Sequence, residues 1–141
     1  MENDKLILSM LVRNESGVLT RISGLFARRG FNIDSLSVGE TQDARVSRIT
    51  IRAAGDAYVQ NQLVCQLEKL HDVLVVEAMD LPRVVARELL LVKVRAEPAT
   101  RGQALDAVTV FRAKVIDLTP DTMTMELTGE QTKLDAFIAF L

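Results

Sequence analysis

The spacing of hydrophobic residues changes along the chain, and each change marks an element. Residues 6–13 (LILSMLVR) are almost continuously apolar, which predicts a central strand buried on both faces. Asn14-Glu15-Ser16-Gly17 interrupts the run. Val18, Leu19, Ile22, Leu25 and Phe26 then recur at helical spacing, with Arg21, Arg28 and Arg29 on the other side. Ser16 is the predicted N-cap of that helix, and Gly30 the left-handed residue after its end. The Arg28-Arg29 pair complements the negative end of the helix dipole. Residues 31–39 (FNIDSLSVG) predict a second strand. Its apolar phase shifts between Ile33 and Leu36, as at a bulge or a strand buried on both sides. After a turn at 41–44, Ile49, Ile51 and Ala53 alternate with Arg48, Thr50 and Arg52, a half-buried strand. Gly55-Asp56 opens a helix carrying Val59, Leu63, Leu67 and Leu70, and residues 72–79 (DVLVVEAM) form a fourth strand. The order is βαββαβ.

The pattern then recurs after Leu81-Pro82 and a short linker through residue 87. Residues 88–96 predict a strand and 100–111 a helix with Leu105, Val108 and Phe111 inward. Residues 115–119 and 123–128 predict two strands, and 130–141 a helix with Leu134, Phe137, Ile138 and Leu141 inward. A shift of 83 positions maps Leu6 to Leu89, Ile22 to Leu105, Leu25 to Val108, Ile33 to Ile116 and Asp34 to Asp117. A shift of 74 maps Ile49 to Met123, Ile51 to Met125, Gly55 to Gly129, Leu63 to Phe137 and Leu67 to Leu141. On this register a closing strand falls due near 147–153, past Leu141. The expected fold is α+β: two ferredoxin-like βαββαβ units, the second without its last strand, each an antiparallel sheet with its helices on one face. The expected divisions are 1–80, a linker at 81–87, and 88–141. The bare sheet faces and free edges of such units favour self-association, most simply as a two-fold dimer.

Composition narrows the function. With 141 residues, 48% hydrophobic, the chain suits two small packed units and not a disordered one. Seventeen basic against nineteen acidic side chains leave a net charge of −2, which argues against a nucleic-acid backbone binder. One cysteine, Cys65, excludes an internal disulfide framework or a CxxC metal or redox site. No apolar run approaches the ~18 residues of a membrane span. The string MENDKLILSMLVRNES turns polar before an export signal is complete, so a reducing, cytoplasmic setting is expected.

Chemistry concentrates between the first strand and first helix. Backbone N–H groups at a helix N-terminus carry partial positive charge and suit a carboxylate. Gly17 lets a ligand approach the backbone, and Asn14 offers both a donor and an acceptor. Asn32 and Ile33 open the second strand, which this fold is expected to begin beside the loop. Leu19 and Ile33 would give an apolar wall for a short branched side chain. The simpler reading of NESG is an ordinary turn capping a helix. Against it, the corresponding positions of the second unit are Glu97, Ala99, Thr100 and Val115, where the amides and the glycine are gone although the core pattern persists. Other candidates are weaker. His71 has no His or Cys partner in sequence and reads as a surface or cap residue. Cys65 reads as a small core or boundary residue. Asp34 and Asp117 sit at matched positions with no base or nucleophile beside them. No catalytic or metal-ligating set is expected.

The strings NESGVLTRISGLFARRGFNIDSLSVG and SRITI, then ARELLLVKV, FRAKVIDLTPDTMTMELTG and KLDAF, resemble the regulatory (small) subunits of acetohydroxyacid synthase, also called acetolactate synthase. The first two match the family's N-terminal ACT domain, the rest its C-terminal domain. The resemblance implies a non-catalytic subunit that activates a catalytic large subunit and confers feedback inhibition by valine in branched-chain amino-acid biosynthesis. Leucine or isoleucine are alternative effectors. It places thiamine diphosphate, FAD and magnesium on the large subunit and no cofactor in this chain. It also implies a homodimer through ACT domains. The effector would be held by Asn14, Glu15, Ser16, Gly17, Val18 and Leu19 of one protomer, with Asn32 and Ile33 of the facing one.

Three other readings compete. An RNA-binding module on this fold needs aromatics on its central strands, and LILSMLVR and VSRITIRA carry none. An acyl-phosphate hydrolase needs a basic phosphate-cradling loop, whereas this loop carries Glu15. An ACT-type amino-acid sensor for a different biosynthetic enzyme is the closest alternative.

Overall fold

The structure, a computed structural model, describes residues 4–141, so the first three positions of the expected first domain lie outside the described residues. It divides into two compact units between Val84 and Val85.

The first unit runs β1 (Lys5–Arg13), α1 (Val18–Arg28), β2 (Ile33–Glu40), β3 (Val46–Ala54), α2 (Ala57–Glu68) and β4 (Val73–Ala78). Its sheet is antiparallel in the order β2-β3-β1-β4. The period-2 alternation of β1 sends Leu6, Leu8, Met10 and Val12 to one face, opposite Ala53, Ile51, Ile49 and Ser47 of β3. Onto that face pack Val18, Ile22, Leu25 and Phe26 of α1 and Leu63 and Leu67 of α2. The other face of β1 carries Ser9, buried, and Ile7 and Leu11, half-buried, so the central strand is covered unequally. The expected irregularity in β2 is a bulge between Ile33 and Ser35. It follows from edge geometry, since nearly all of β2 is exposed. Leu36 and Val38 lie on the helix-bearing face beyond the reach of both helices, 41% and 46% exposed.

Helix α1 ends as its sequence predicts. Gly30 has φ +74°, its N–H donates to Ala27 O, and the Phe31 N–H donates to Phe26 O, a Schellman closure. It begins differently: Gly17 at φ +86°, not Ser16, is the N-cap, with no side-chain cap bond. The α2 start carries a polar cap, Asp56 accepting from the Val59 N–H at 3.0 Å.

The second unit comprises β5 (Glu88–Arg95), α3 (Arg101–Phe111), β6 (Lys114–Leu118), β7 (Thr122–Gly129) and α4 (Gln131–Phe140), with antiparallel order β5-β7-β6. Here the repeat register needs correction. Leu90, Val92 and Val94 pack on the core and pair with Leu127, Met125 and Met123, while Leu89 and Leu91 face away. Leu6 therefore corresponds to Leu90, 84 positions on. In the helix, Ala104 and Ala107 are buried where Ile22 and Leu25 are, 82 positions on, and Leu105 is exposed. The single offset of 83 averaged two true ones, and in a strand a slip of one residue turns every side chain to the wrong face. The 74 offset holds at Met123, Met125 and Phe137, all fully buried. Ile138 and Leu141 are exposed against expectation, and Asp34 and Asp117 are not equivalent, since bulges displace both edge strands. Cys65 is exposed, on the outer side of α2 and not at the core boundary. Among the described residues, no helix is long and apolar enough to cross a membrane, and no three His, Cys, Asp or Glu side chains cluster as a metal site.

Candidate functional site

The loop from Asn14 to Gly17 leaves the C-terminal end of β1 and turns into α1. Its shape rests on main-chain bonds: Asn14 N–H to Arg45 O (2.8 Å), Glu15 N–H to Arg13 O (3.0 Å) and Arg21 N–H to Gly17 O (3.1 Å). A cap side chain is missing at Gly17 and no acidic residue occupies the first turn. The amides of Leu19 and Thr20 thus point out of the helix end without a side-chain acceptor from the N-cap, in the positive field of the dipole. Leu19 is 41% exposed beside them.

Asn14 is held from across the sheet. Its Nδ2 donates to Glu40 Oε2 at 3.0 Å and to Ala44 O at 2.9 Å. Both neighbours are oxygens, which fixes the amide orientation: the reversed amide would set Oδ1 against two acceptors. The two amide hydrogens are spent within the chain, so the group Asn14 presents outward is Oδ1, an acceptor. Of the dual role expected for Asn14, the structure keeps one half, an acceptor for a cationic donor such as an ammonium.

The expectation that β2 begins beside this loop is wrong within one chain. Since β1 and β3 are antiparallel, and β3 and β2 likewise, it is the end of β2, at Glu40, that reaches Asn14. The start of β2 lies at the opposite edge of the sheet, by the beginning of β1. There Lys5 Nζ bonds Asp34 Oδ2 at 2.8 Å, and Asn32 Nδ2 donates to Asp34 Oδ1 at 3.3 Å. The Lys5 ammonium beside Asp34 holds its carboxyl below the usual carboxylate value. Of the eight expected residues, the structure brings together Asn14, Glu15, Ser16, Gly17, Val18 and Leu19. Asn32 and Ile33 are remote from them in the same chain. Val18 is buried in the core, so it contributes main chain and packing only.

Four residues belong to this neighbourhood that no sequence spacing singled out: Glu40 and Ala44, which hold Asn14, and Arg21 and Asp72. The Arg21 guanidinium donates from Nε to Asp72 Oδ2 at 2.7 Å, with Nη2 at 2.6 Å from the same oxygen. A Cβ placed on Gly17 would lie 3.0 Å from Arg21 Nη1, so the guanidinium lies against the glycine. The pair spans 51 positions, and only the folded sheet brings it together. His71, next to Asp72, is exposed, as expected of a surface residue. A recess lined by Val38, Gly39, Glu40 and Thr41 borders the loop through Glu40, and others lie elsewhere. One of about 370 Å³ in the second unit is lined by Arg95, Thr100 and Gln103, and one in the first unit by Lys5, Gly55 and Asp80. In the second unit the corresponding turn satisfies itself, the Thr100 and Arg101 N–H groups both donating to Glu97 O.

Comparison with known proteins gives this geometry its context. The family described as the AHAS small subunit-like ACT domain matches residues 8–75, and that described as the small subunit of acetolactate synthase matches residues 87–141. A probable acetolactate synthase small subunit of Methanothermobacter thermautotrophicus is 43% identical over 142 residues, covering 100% of this chain and 84% of the relative. The acetolactate synthase isozyme 3 small subunit of Escherichia coli is 46% identical over 133 residues, covering 94% and 82%. The crystal structure of the acetolactate synthase small subunit from Thermotoga maritima superposes with a TM-score of 0.89 at 39% identity, over 97% of this chain and 86% of that one. Matched along its whole length by sequence and by fold, this chain belongs to the acetolactate synthase small-subunit family.

Proposed function

We propose that the chain is a non-catalytic regulatory subunit that binds the catalytic large subunit of acetolactate synthase in the cytoplasm, raises its activity, and returns it to a lower state when valine binds the first unit. Thiamine diphosphate, FAD and magnesium belong, on this reading, to the large subunit.

The observation that carries the reading is the opposed polarity of the 14–20 segment. Uncapped amides at the head of α1 suit a carboxylate, while Asn14 Oδ1, with Glu40 3.0 Å from its amide nitrogen, suits an ammonium. A free α-amino acid carries both groups on one carbon. The exposed Leu19 supplies apolar surface for a short branched side chain. Discrimination among valine, leucine and isoleucine rests on about one methylene, roughly 1–3 kcal/mol, so some cross-reactivity is expected.

The free edge of β2 supports a site shared by two protomers. If two β2 strands pair antiparallel across a two-fold axis, the Asn32–Ile33 end of the second copy comes opposite Glu40, and so beside Asn14. The same pairing covers the exposed Leu36 and Val38 and removes a free strand edge. Valine bridging two copies favours whichever arrangement of the pair spaces the two halves correctly. Its effect on the enzyme is bounded by its differential affinity for two arrangements, typically 1–3 kcal/mol.

The test is activity of a purified large subunit with and without this chain, and with valine added. Stimulation by the chain, reversed by valine, is expected. Stimulation insensitive to valine, leucine and isoleucine would reject the effector role, and no stimulation would reject the subunit role.

A further inference from the structure

We propose that Asp72 and Arg21 are positioning residues of the effector loop, a role that rests on the amino-acid-binding reading above. Asp72 grips the loop at both ends. Its main-chain carbonyl accepts from the Arg13 N–H at 2.9 Å, immediately before the loop. Its carboxylate takes the fork of Arg21, one turn into α1, at 2.7 and 2.6 Å. One residue, at the turn that leads into β4, thus fixes the span between the last residue of β1 and the first turn of α1. The same guanidinium lies over Gly17, the left-handed residue on which the turn into the helix depends.

Three features set this pair apart from incidental surface charge. First, Asp72 is buried and Arg21 is half-exposed. A pair of that kind contributes little net stability, because desolvating the carboxylate offsets much of the attraction. Fold stability therefore does not account for its geometry, whereas positioning does. Second, Arg21 Nε donates a charge-assisted hydrogen bond to Asp72 Oδ2 at 2.7 Å, with Nη2 2.6 Å from the same oxygen, so the planar guanidinium is aimed at one carboxylate atom. Third, the pair goes with the loop chemistry. By the helix offset of 82, the counterpart of Arg21 in the second unit is Gln103, and that unit's turn has neither Asn14's amide nor Gly17. Asp72 also ties the loop to the start of β4, where the β1–β4 register slips between Leu11 and Val12.

The experiment compares the full chain with Asp72→Asn, Arg21→Lys and a charge-swapped Arg21→Asp/Asp72→Arg double variant. Arg87→Gln, which breaks the Glu130 ion pair in the second unit, serves as control. Amide hydrogen exchange of residues 14–20 is read without ligand, and valine affinity by calorimetry. Both single variants should exchange at least tenfold faster in the loop and bind valine at least tenfold more weakly. The double variant should recover part of both, and Arg87→Gln should change neither. Asp72→Asn keeps size and the carbonyl anchor, and Arg21→Lys keeps charge, so circular dichroism should show both folded. Unchanged loop exchange in the two folded single variants overturns the positioning role whatever valine does. Normal valine affinity with a loosened loop overturns it equally. Absence of valine binding to the unmodified chain rejects the effector reading, and with it this role, as a distinct result.

Discussion

At the residue scale the loop is a set of commitments. Gly17 holds φ +86° with Arg21 Nη1 3.0 Å from where a Cβ would stand. An L-residue in that conformation costs about 1–2 kcal/mol, and the added methyl displaces the guanidinium from the turn. Gly17→Ala should lower the thermal midpoint measurably and weaken valine binding in calorimetry. An unchanged midpoint would mean that the loop relaxes to another conformation at no cost. Asp34 gives a pH prediction. Hydrogen bonding from Lys5 lowers its pKa from 3.8, so the folded state holds its proton less tightly than the unfolded chain does. That contribution is present above 3.8 and is lost as pH falls through the lower, folded value. The difference in thermal midpoint between the chain and Asp34→Asn should therefore be largest near neutrality at low salt and vanish in stronger acid. A difference that persists there would show that the substitution alters packing, not charge. Asn14 shows what sequence can and cannot carry. Its position beside a helix start was legible, but which half of its amide faces outward was decided by Glu40 and Ala44, twenty-six and thirty positions away.

At the element scale, the alternation in β3 and β7 and the helical spacing of α1 were legible because their faces differ sharply in polarity. The core of the first unit is the one the apolar pattern predicts, down to Ile22, Phe26, Leu63 and Leu67. Legibility failed where the pattern has no contrast. Residues 89–92 read LLLV, so either phase of β5 looks apolar, and the register was fixed only by pairing Leu90 with Leu127. Helix α3 failed for a related reason: it packs through Ala104 and Ala107, small residues that permit close approach, while the larger Leu105 stays outside. The register makes a paired prediction. Leu90→Ser should destabilise the chain in urea titrations by about 1–3 kcal/mol, since it sets a hydroxyl against the apolar core. Leu89→Ser, on the open face, should change stability by less than about 0.5 kcal/mol. Equal losses would put both residues in the core. The direction of β2 follows from the antiparallel βαββαβ sheet that the sequence predicts, which runs β1 and β2 parallel and so conflicts with a β2 start beside the loop. A strand's start and end look alike in apolar pattern, and only the antiparallel ladder sets Glu40, not Ile33, beside Asn14.

At the scale of the whole molecule, one described chain holds half of the expected site. The amides of α1 and Asn14 Oδ1 are in place, but Asn32 and Ile33 stand at the far end of the sheet, and the proposed pairing would bring those of a second copy alongside. The exposed apolar positions of β2, Leu36 and Val38, mark the surface proposed for that pairing. Val38→Lys sets a charge on that edge at a position that is already 46% exposed. Sedimentation at micromolar concentration should shift it toward the monomer, with valine affinity lost in parallel and monomer stability retained. A variant that remains dimeric and binds valine normally would place the contact elsewhere. The most direct measurement is the crystal structure of the chain grown with valine. The account predicts two copies joined edge to edge through β2. One valine should lie in each of two equivalent sites, its carboxylate at the Leu19 and Thr20 amides, its ammonium on Asn14 Oδ1, and Asn32 and Ile33 of the other copy closing over it. Valine bound away from the 14–20 segment, or copies that meet with both β2 edges free, would contradict it.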